Sequence, residues 1–362
     1  MLKVRTHLLQ SMVLKASKGA SNNKMLPITG MMGIKVVTED DKSLLSLCTT
    51  DATNYLFISE PIDLTDDMEV VIPEEQFSKL VSKITTDTIG LELTKDKLVV
   101  TGNGTYGIEL PLDELGNPVK FPNPLEKLTL TNSRTISLGS IKSILLHNKP
   151  SLAIERDVPC YTGYYMDASG VITTDTYTMC GNEIKLFEEP VLLSREMVDL
   201  LDIFTTDKID VMEFGNNLVF ASSGCIVYGA KMNGIEDYQV EALKGLLEQD
   251  FPCMVKVSRN RLINSLDRLN LFVGRYDKNK IKLDFTKDAL VISSKANSGT
   301  ETIEYNDKVN ASEFYCYIDV EMFSTELKAQ ECDIVELWYG LPNAIKAVDG
   351  DVTQVIALDE DD

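Results

Sequence analysis

Two periodicities alternate along this chain. In short stretches apolar residues recur every three or four positions, as on one face of a helix. HLLQSMVLKASK groups Leu8, Leu9, Met12, Val13 and Ala16 in this way. GSIKSILLHNK groups Ile141, Ile144 and Leu145, and SRNRLINSLDRLNLF groups Leu262, Ile263, Leu266 and Leu269. Strand patterns follow each of these, beginning with GIKVV, SLLSLCTT and YLFIS. A second set of short helices is predicted at PEEQFSKLVSKIT (73–85), SREMVDLLDIFT (194–205) and DVEMFSTELKAQ (319–330). Behind them come the strand patterns TIGLEL, KIDVMEF and DIVELWY, then KLVVTGN with YGIELPL, NLVFASSG with CIVYGAKM, and QVIALDE. ALVISSK reads as a further strand of the last third.

The layout thus occurs three times, with a step of about 120 residues, which is the size of a domain rather than of a solenoid repeat. The tripeptide Thr49-Thr50-Asp51 reappears as Thr173-Thr174-Asp175, in the same strand-turn context. ELGNPVKFPN (114–123) and NGIEDYQVEAL (233–243) read as linkers. Three domains follow, at 1–125, 126–250 and 251–362. Each is expected to be an α+β unit with two helices and antiparallel sheets.

The apolar share, 44%, lets each third bury a core. The formal net charge is -21, which opposes indiscriminate binding of nucleic acid, so any basic surface has to be local. The seven cysteines are scattered without a CxxC pair, which argues against a disulfide framework and a zinc site and for reduced thiols in the cytoplasm. MLKVRTHLLQSMVLKASKG reads as an amphipathic helix rather than a signal sequence, and no apolar run is long enough to span a membrane.

Basic residues concentrate on the first helix of each third: Lys15 and Lys18, then Lys142 and Lys149, then Arg259, Arg261 and Arg268. Lys79 and Lys83 extend the set on the second helix of the first third. The second helices of the other thirds are acidic instead, with Glu196, Asp199 and Asp202, and with Asp319, Glu321 and Glu326. A solvated face explains one basic helix. Basic first helices in all three thirds of so acidic a chain point to a polyanion.

Tests for chemistry return little. Gly102-Asn103-Gly104-Thr105-Tyr106-Gly107 fits GxGxxG, but it joins two strand patterns and opens no helix, so a hairpin is expected. There is no P-loop and no GxSxG, and His7 and His147 have no cysteine or carboxylate at ligand spacing. Asp51 and Asp175 could be an acid–base pair, but the last third has Ser293-Ser294-Lys295 at that place, so turn formation is the better reading. Neither enzymatic activity, nor a metal, nor a cofactor is expected.

Taken in order, these segments resemble the bacterial DNA sliding clamp, the beta subunit of DNA polymerase III. The resemblance is carried by HLL…NNKMLPITGMMGIKV, YYMDASGVITTDTYTMCGNEIKL, LLSREMVDLLDIF, LVFASSGCIVYGAKMNGIEDYQ, KVSRNRLINSLDRLNLF and SEFYCYIDVEMFSTELKAQ. It covers nearly the whole chain. It implies a processivity factor in which two three-domain chains pair head to tail into a closed ring. Helices line the hole, and duplex DNA is held topologically and without reading of bases. The implied partners are a DNA polymerase, a clamp loader and a second copy of the chain, and no membrane.

The resemblance also implies three sets of site residues. For DNA it adds Lys24 and Tyr161 to the basic helix residues. For the dimer seam it gives Tyr106, Leu271 and Phe272. For a groove that receives partner peptides it gives Thr174, Thr176, Tyr177, Met179, Leu243, Val355, Ile356 and Leu358. Two departures stand out: Thr176-Tyr177-Thr178 replaces a Gly-His-Arg run, and the chain ends VIALDEDD, so an acidic rim favouring a basic partner is expected. A clamp of a phage or mobile element would account for both. The competing reading is a non-enzymatic structural or binding protein of β-rich repeats, such as a phage particle component.

Overall fold

The computed structural model describes residues 1–39, 42–127, 133–154, 158–273, 279–294 and 298–359. Seven α-helices occur among them: α1 Thr6–Ala16, α2 Glu74–Lys83, α3 Leu138–His147, α4 Arg195–Leu200, α5 Val240–Glu248, α6 Arg259–Asn270 and α7 Val320–Lys328. None is long and apolar enough to cross a membrane.

One succession of elements runs three times: a short strand, a helix, four strands, a helix, three strands. The short strands Leu2–Arg5, Arg134–Ser137 and Cys253–Ser258 pass straight into α1, α3 and α6. The helical periodicity of the sequence conceals them. Two additions interrupt the scheme. Asp307–Val309 is an extra strand in the last round, and α5 stands between the second and third rounds, in a segment expected to be a plain linker.

By compactness the chain forms two units, Met1–Gly139 with Glu196–Lys231, and Ser140–Arg195 with Met232–Asp362. In unit 1 an antiparallel eight-stranded sheet runs Met68–Pro73, Met31–Glu39, Lys42–Thr50, Asn54–Ile62, Cys225–Ala230, Asn217–Ser222, Lys208–Phe214, Arg134–Ser137. A four-stranded sheet runs Leu2–Arg5, Thr88–Leu93, Lys97–Thr101, Thr105–Glu109. The GxGxxG stretch is the expected hairpin, with Gly102 N–H donating to the Gly104 carbonyl at 2.9 Å. Leu9, Met12, Val13 and Ala16 of α1 are buried at i, i+3, i+4 and i+7, together with Phe77 and Val81 of α2 and Ile34, Leu45 and Leu47 of the large sheet. Burial of each large side chain contributes about 1.5–3 kcal/mol.

Unit 2 repeats the plan. Its nine-stranded sheet runs Val191–Ser194, Gly163–Asp167, Gly170–Thr174, Thr178–Asn182, Val352–Ala357, Ala344–Asp349, Ile334–Tyr339, Cys253–Ser258, Asp307–Val309. Its four-stranded sheet runs Thr300–Glu304, Ala289–Ser294, Lys280–Phe285, Phe314–Asp319. Leu262, Leu266 and Leu269 of α6 and Phe323 and Leu327 of α7 fill the core between them. Asp319 caps α7 by accepting from the N–H groups of Glu321 (2.8 Å) and Met322 (2.9 Å). Lys328 of α7 pairs with Asp267 of α6 at 2.9 Å.

The large sheets follow one rule. The strand that closes a round pairs antiparallel with the third of the four sheet strands in the round before it. Cys225–Ala230 pairs with Asn54–Ile62, and Val352–Ala357 pairs with Thr178–Asn182. The first round's closing strand, Thr105–Glu109, and the last round's corresponding strand, Thr300–Glu304, are outermost in their four-stranded sheets.

Candidate functional site

One concave site of unit 2 starts from a turn. Thr173 and Thr174 end a strand, and Asp175 then accepts the N–H groups of Tyr177 (2.9 Å) and Thr178 (2.6 Å) on Oδ1. The Thr174 hydroxyl donates to the Thr178 carbonyl at 2.7 Å and accepts from Thr176 N–H at 3.0 Å. This closure holds Thr176 at φ 82°, in the left-handed region, and leaves Tyr177 65% exposed. Asp175 is therefore a turn residue, as expected. Asp51 does the same in unit 1, accepting from Thr53 (2.8 Å) and Asn54 (2.6 Å).

Past the turn, Met179 lies directly opposite Val355 across the ladder. Directly opposed residues point to one face, and this face also carries Tyr165 and Ile172. Helix α5 lies over it and buries Leu243. Gly181 makes the approach possible, because a Cβ there would stand 2.7 Å from a methyl of Leu247. Tyr238 anchors the segment before α5. Its hydroxyl donates to the Ile172 carbonyl at 3.0 Å, and its ring stacks on Tyr165 at 5.2 Å and meets Tyr161 edge-on at 5.0 Å. At the other end Lys346 donates to the carbonyls of Leu247 and Gln249, both at 2.8 Å, satisfying the last turn of the helix.

Between α5 and the strands lies a groove of about 380 Å³. Its walls are Tyr161, Met179, Ala242, Leu243, Leu246, Ala344 and Val355, and its rim is formed by Thr174, Thr176, Tyr177, Thr178, Gln239 and Asn343. An apolar trough with polar edges suits a short extended or helical peptide presenting a few aliphatic or aromatic anchors. Near the turn, Ser151 Oγ donates to Glu326 Oε1 at 2.9 Å. Burial pushes this carboxyl up to about 7, only partly offset by hydrogen bonds from Ser151 and Thr178.

The structure gathers Thr174, Thr176, Tyr177, Met179, Leu243 and Val355 at the groove. Ile356 and Leu358 are not there. Strand alternation turns Ile356 to the opposite face, where it is 0% exposed in the core formed around α6 and α7, and Leu358 packs against that same core. Tyr161, expected beside DNA, is 9% exposed and forms a groove wall. The sequence reading missed Gln239, Ala242, Leu246, Asn343 and Ala344. For three of these the signal was present: residues 239, 242, 243 and 246 share one helical face. The expected acidic rim involves Asp359, whose N–H donates to the Tyr317 carbonyl at 2.9 Å, and Glu360, Asp361 and Asp362, which lie outside the described residues.

The basic residues divide. Lys24, Lys79, Lys83, Lys142 and Arg261 are exposed, and Lys15 and Lys149 are half-buried. Lys18 lies 3.8 Å from Asp202, and Lys79 pairs with Glu75 one turn earlier. Arg268 grips Glu301 through Nε (2.7 Å) and an outer nitrogen (2.6 Å), holding that carboxyl down at about 2. Arg259 turns inward and donates to the carbonyls of Leu327 and Gln330 at the end of α7, so it serves the α6–α7 junction. Of the seam residues, Tyr106 stands on the outermost strand Thr105–Glu109. Leu271 is 82% exposed, and Phe272, 52% exposed, lies beside Gly299 at the head of the outermost strand Thr300–Glu304.

No family model matches the sequence, and no curated protein matches it. Solved structures do. The DNA polymerase III beta subunit of Thermotoga maritima is 17% identical, with 99% of each chain covered and a TM-score of 0.83. The DNA polymerase sliding clamp of Bacillus subtilis is 16% identical, covering 99% of this chain and 98% of that one, with a TM-score of 0.82. The sliding clamp of Pseudomonas aeruginosa is 15% identical, with 99% of each chain covered and a TM-score of 0.83. The chain has the sliding-clamp fold along its whole length.

Proposed function

We propose that this protein is a DNA sliding clamp, a non-catalytic processivity factor that encircles duplex DNA in the cytoplasm and tethers a replicative polymerase. The observation that carries the reading is the end-to-end match with clamp structures at a TM-score of 0.83. Three rounds of one element succession support three clamp domains at 1–125, 126–250 and 251–362. Lys24, Lys79, Lys83, Lys142 and Arg261, all exposed, are the residues offered to the phosphate backbone, an interaction that needs charge but no base contact. The groove beside α5 is offered to the polymerase and the clamp loader.

Head-to-tail dimerisation follows from the pairing rule of the sheets. Within the chain, each closing strand that has a preceding round pairs with that round's third sheet strand. Among the described residues no strand pairs with the outer edge of Thr105–Glu109 or of Thr300–Glu304. A second copy supplies what each lacks, with Tyr106, Leu271 and Phe272 covered at the two seams.

The test is topological. Loaded onto nicked circular DNA by the loader of its own replication system, the protein should stay bound through a sizing column. It should be released once the circle is cut open. Leu271→Ala combined with Phe272→Ala should sediment as a monomer and be retained on neither form. Equal retention on circular and linear DNA would overturn the clamp reading.

A further inference from the structure

Helix α5 forms a wall of the groove without being wedged in place. It has nine residues, a length that is marginal for a helix on its own, so its position is set by what it touches. The groove of about 380 Å³ opens on one flank. On the other flank a second cavity, of about 280 Å³, is lined by Lys244, Leu247 and Glu248 of the helix with Gly181 and Thr353 of the sheet. Space on both flanks leaves sideways packing incomplete, and fastenings hold the helix instead. Tyr238 anchors the approach to it through the bond to the Ile172 carbonyl, and Lys244 binds Asp167 at 2.8 Å on the far flank. The end of the helix is fastened by Lys346.

Lys346 stands on the groove's own face of the sheet. It lies directly opposite Val355, which lies directly opposite Met179, and Ala344, two residues earlier on the same strand, lines the groove. Its ammonium donates to the carbonyls of Leu247 and Gln249, both at 2.8 Å, and lies 5.1 Å from the centre of the Phe251 ring. In the last turn carbonyls run out of helical donors and the helix dipole is negative, so a cation suits them. Leu247 directly follows Leu246, a residue of the groove wall. Unit 1 has neither part of this arrangement. Its matching ladder position is Val219, opposite Tyr228, which is opposite Tyr55, and no α-helix occurs among its described residues between 110 and 127. Resting on the reading of this groove as the partner site, we infer that Lys346 is its positioning residue. With its end tied to the sheet, α5 holds Ala242, Leu243 and Leu246 at one fixed distance from Met179 and Val355. A partner's anchors then meet a preformed groove and do not have to order its wall as they bind.

The experiment titrates the full-length protein with a fluorescent peptide that carries leucine and phenylalanine anchors between serines. It also follows hydrogen exchange in the free and the peptide-saturated protein. Lys346→Met keeps an apolar stem beside Phe251 but has no proton to donate. It should weaken binding about tenfold, mainly through faster release, as two hydrogen bonds from a charged donor are lost. Amides of residues 246–249 should exchange faster in the free variant and regain protection when the peptide saturates it. Lys346→Arg, which restores a cationic donor, should bind within about threefold of wild type. Three results overturn the positioning role: Lys346→Met binding as tightly as wild type, Lys346→Arg binding no better than Lys346→Met, or faster exchange spread over residues 352–357 as well as α5, which would mark a lysine that serves the sheet at large. The groove reading is tested apart from this. If wild type binds no peptide, or if Met179→Glu binds it as well as wild type does, that reading falls and the positioning role with it.

Discussion

The two units build the same turn on the same ladder and then diverge in the residues of the face beyond it. In unit 1 Thr50 faces Tyr55 and Cys48 faces Phe57, and in unit 2 Thr174 faces Met179 and Ile172 faces Gly181. The closing strands add Tyr228 opposite Tyr55 and Val355 opposite Met179. In unit 1 aromatic rings occupy this face. Tyr55 meets Tyr228 edge-on at 5.8 Å and stacks on Phe57 at 6.5 Å, and the chain beyond residue 113 crosses in irregular form with Phe121 pressed towards Gly33. In unit 2 the position of Phe57 is Gly181, the floor is aliphatic, and a helix can lie down on it. A bare strand position therefore makes room for the groove wall. The turn itself, which both units share, does not.

The sharpest way to break this contrast is to give unit 2 the residue of unit 1. Gly181→Phe should drive Leu247 and α5 off the strand. It should lower the affinity of a groove peptide by about five- to a hundredfold, since overpacking of this kind costs about 1–3 kcal/mol. Hydrogen exchange should show residues 240–248 losing protection while the helices of unit 1 keep theirs. Full protection and unchanged affinity would show that the glycine is incidental.

The units should also differ in their response to pH. Glu326 is buried in unit 2 and its carboxyl is raised from 4.5 to about 7, so the folded state favours its protonated form. The stability this gives is fully present below about 4.5 and is lost as pH rises towards 7, a change of roughly 3 kcal/mol. Glu326→Gln should remove that slope between pH 4.5 and 7 and raise the melting temperature at pH 8. Unfolding curves of wild type and variant that run parallel over this range would discount Glu326 as the source.

The smallest effect should be the same in both units. Ala52 at φ 84° and Thr176 at φ 82° occupy matching left-handed positions in matching turns. Ala52→Gly and Thr176→Gly should each relieve strain worth about 1 kcal/mol, less the entropy that glycine adds to the unfolded chain. Equal small gains in chemical denaturation are expected. A gain at one position alone would mean that the turns are not held alike.

Much of this architecture was legible in the sequence because helical and strand periods are long-lived signals. α1, α3 and α6 announce themselves through apolar spacing, and the Thr-Thr-Asp repeat marks the two turns. Other features were masked by competing patterns. Leu2–Arg5 runs into α1 without a break, so its strand alternation was absorbed into the helix. α5 is short and follows a 3-10 turn at Ile235–Asp237, so its single apolar face read as part of a linker. Ile356 was assigned to the groove because its neighbour Val355 belongs there, although period-two alternation sends adjacent residues to opposite faces. Arg259 was grouped with solvent-facing cations by residue type, whereas its place at the very start of α6 lets it reach back to the end of α7. Spacing shows which residues can share a face, but the carbonyls within reach of a long side chain depend on a packing partner far along the chain.

The two unpaired strand edges carry a further consequence. Thr105–Glu109 and Thr300–Glu304 are different surfaces, so pairing one with the other is heterologous. Contacts of that kind close into a ring when the angle between successive copies is right and grow into open filaments when it is not. Glu109 and Glu304 put carboxylates on both edges, and these resist pairing that is not offset by well-fitted apolar contact. Under the proposed head-to-tail pairing, polymerisation is thus the hazard, and the fit of the proposed seam residues Tyr106, Leu271 and Phe272 would decide whether a concentrated solution holds discrete pairs or fibres.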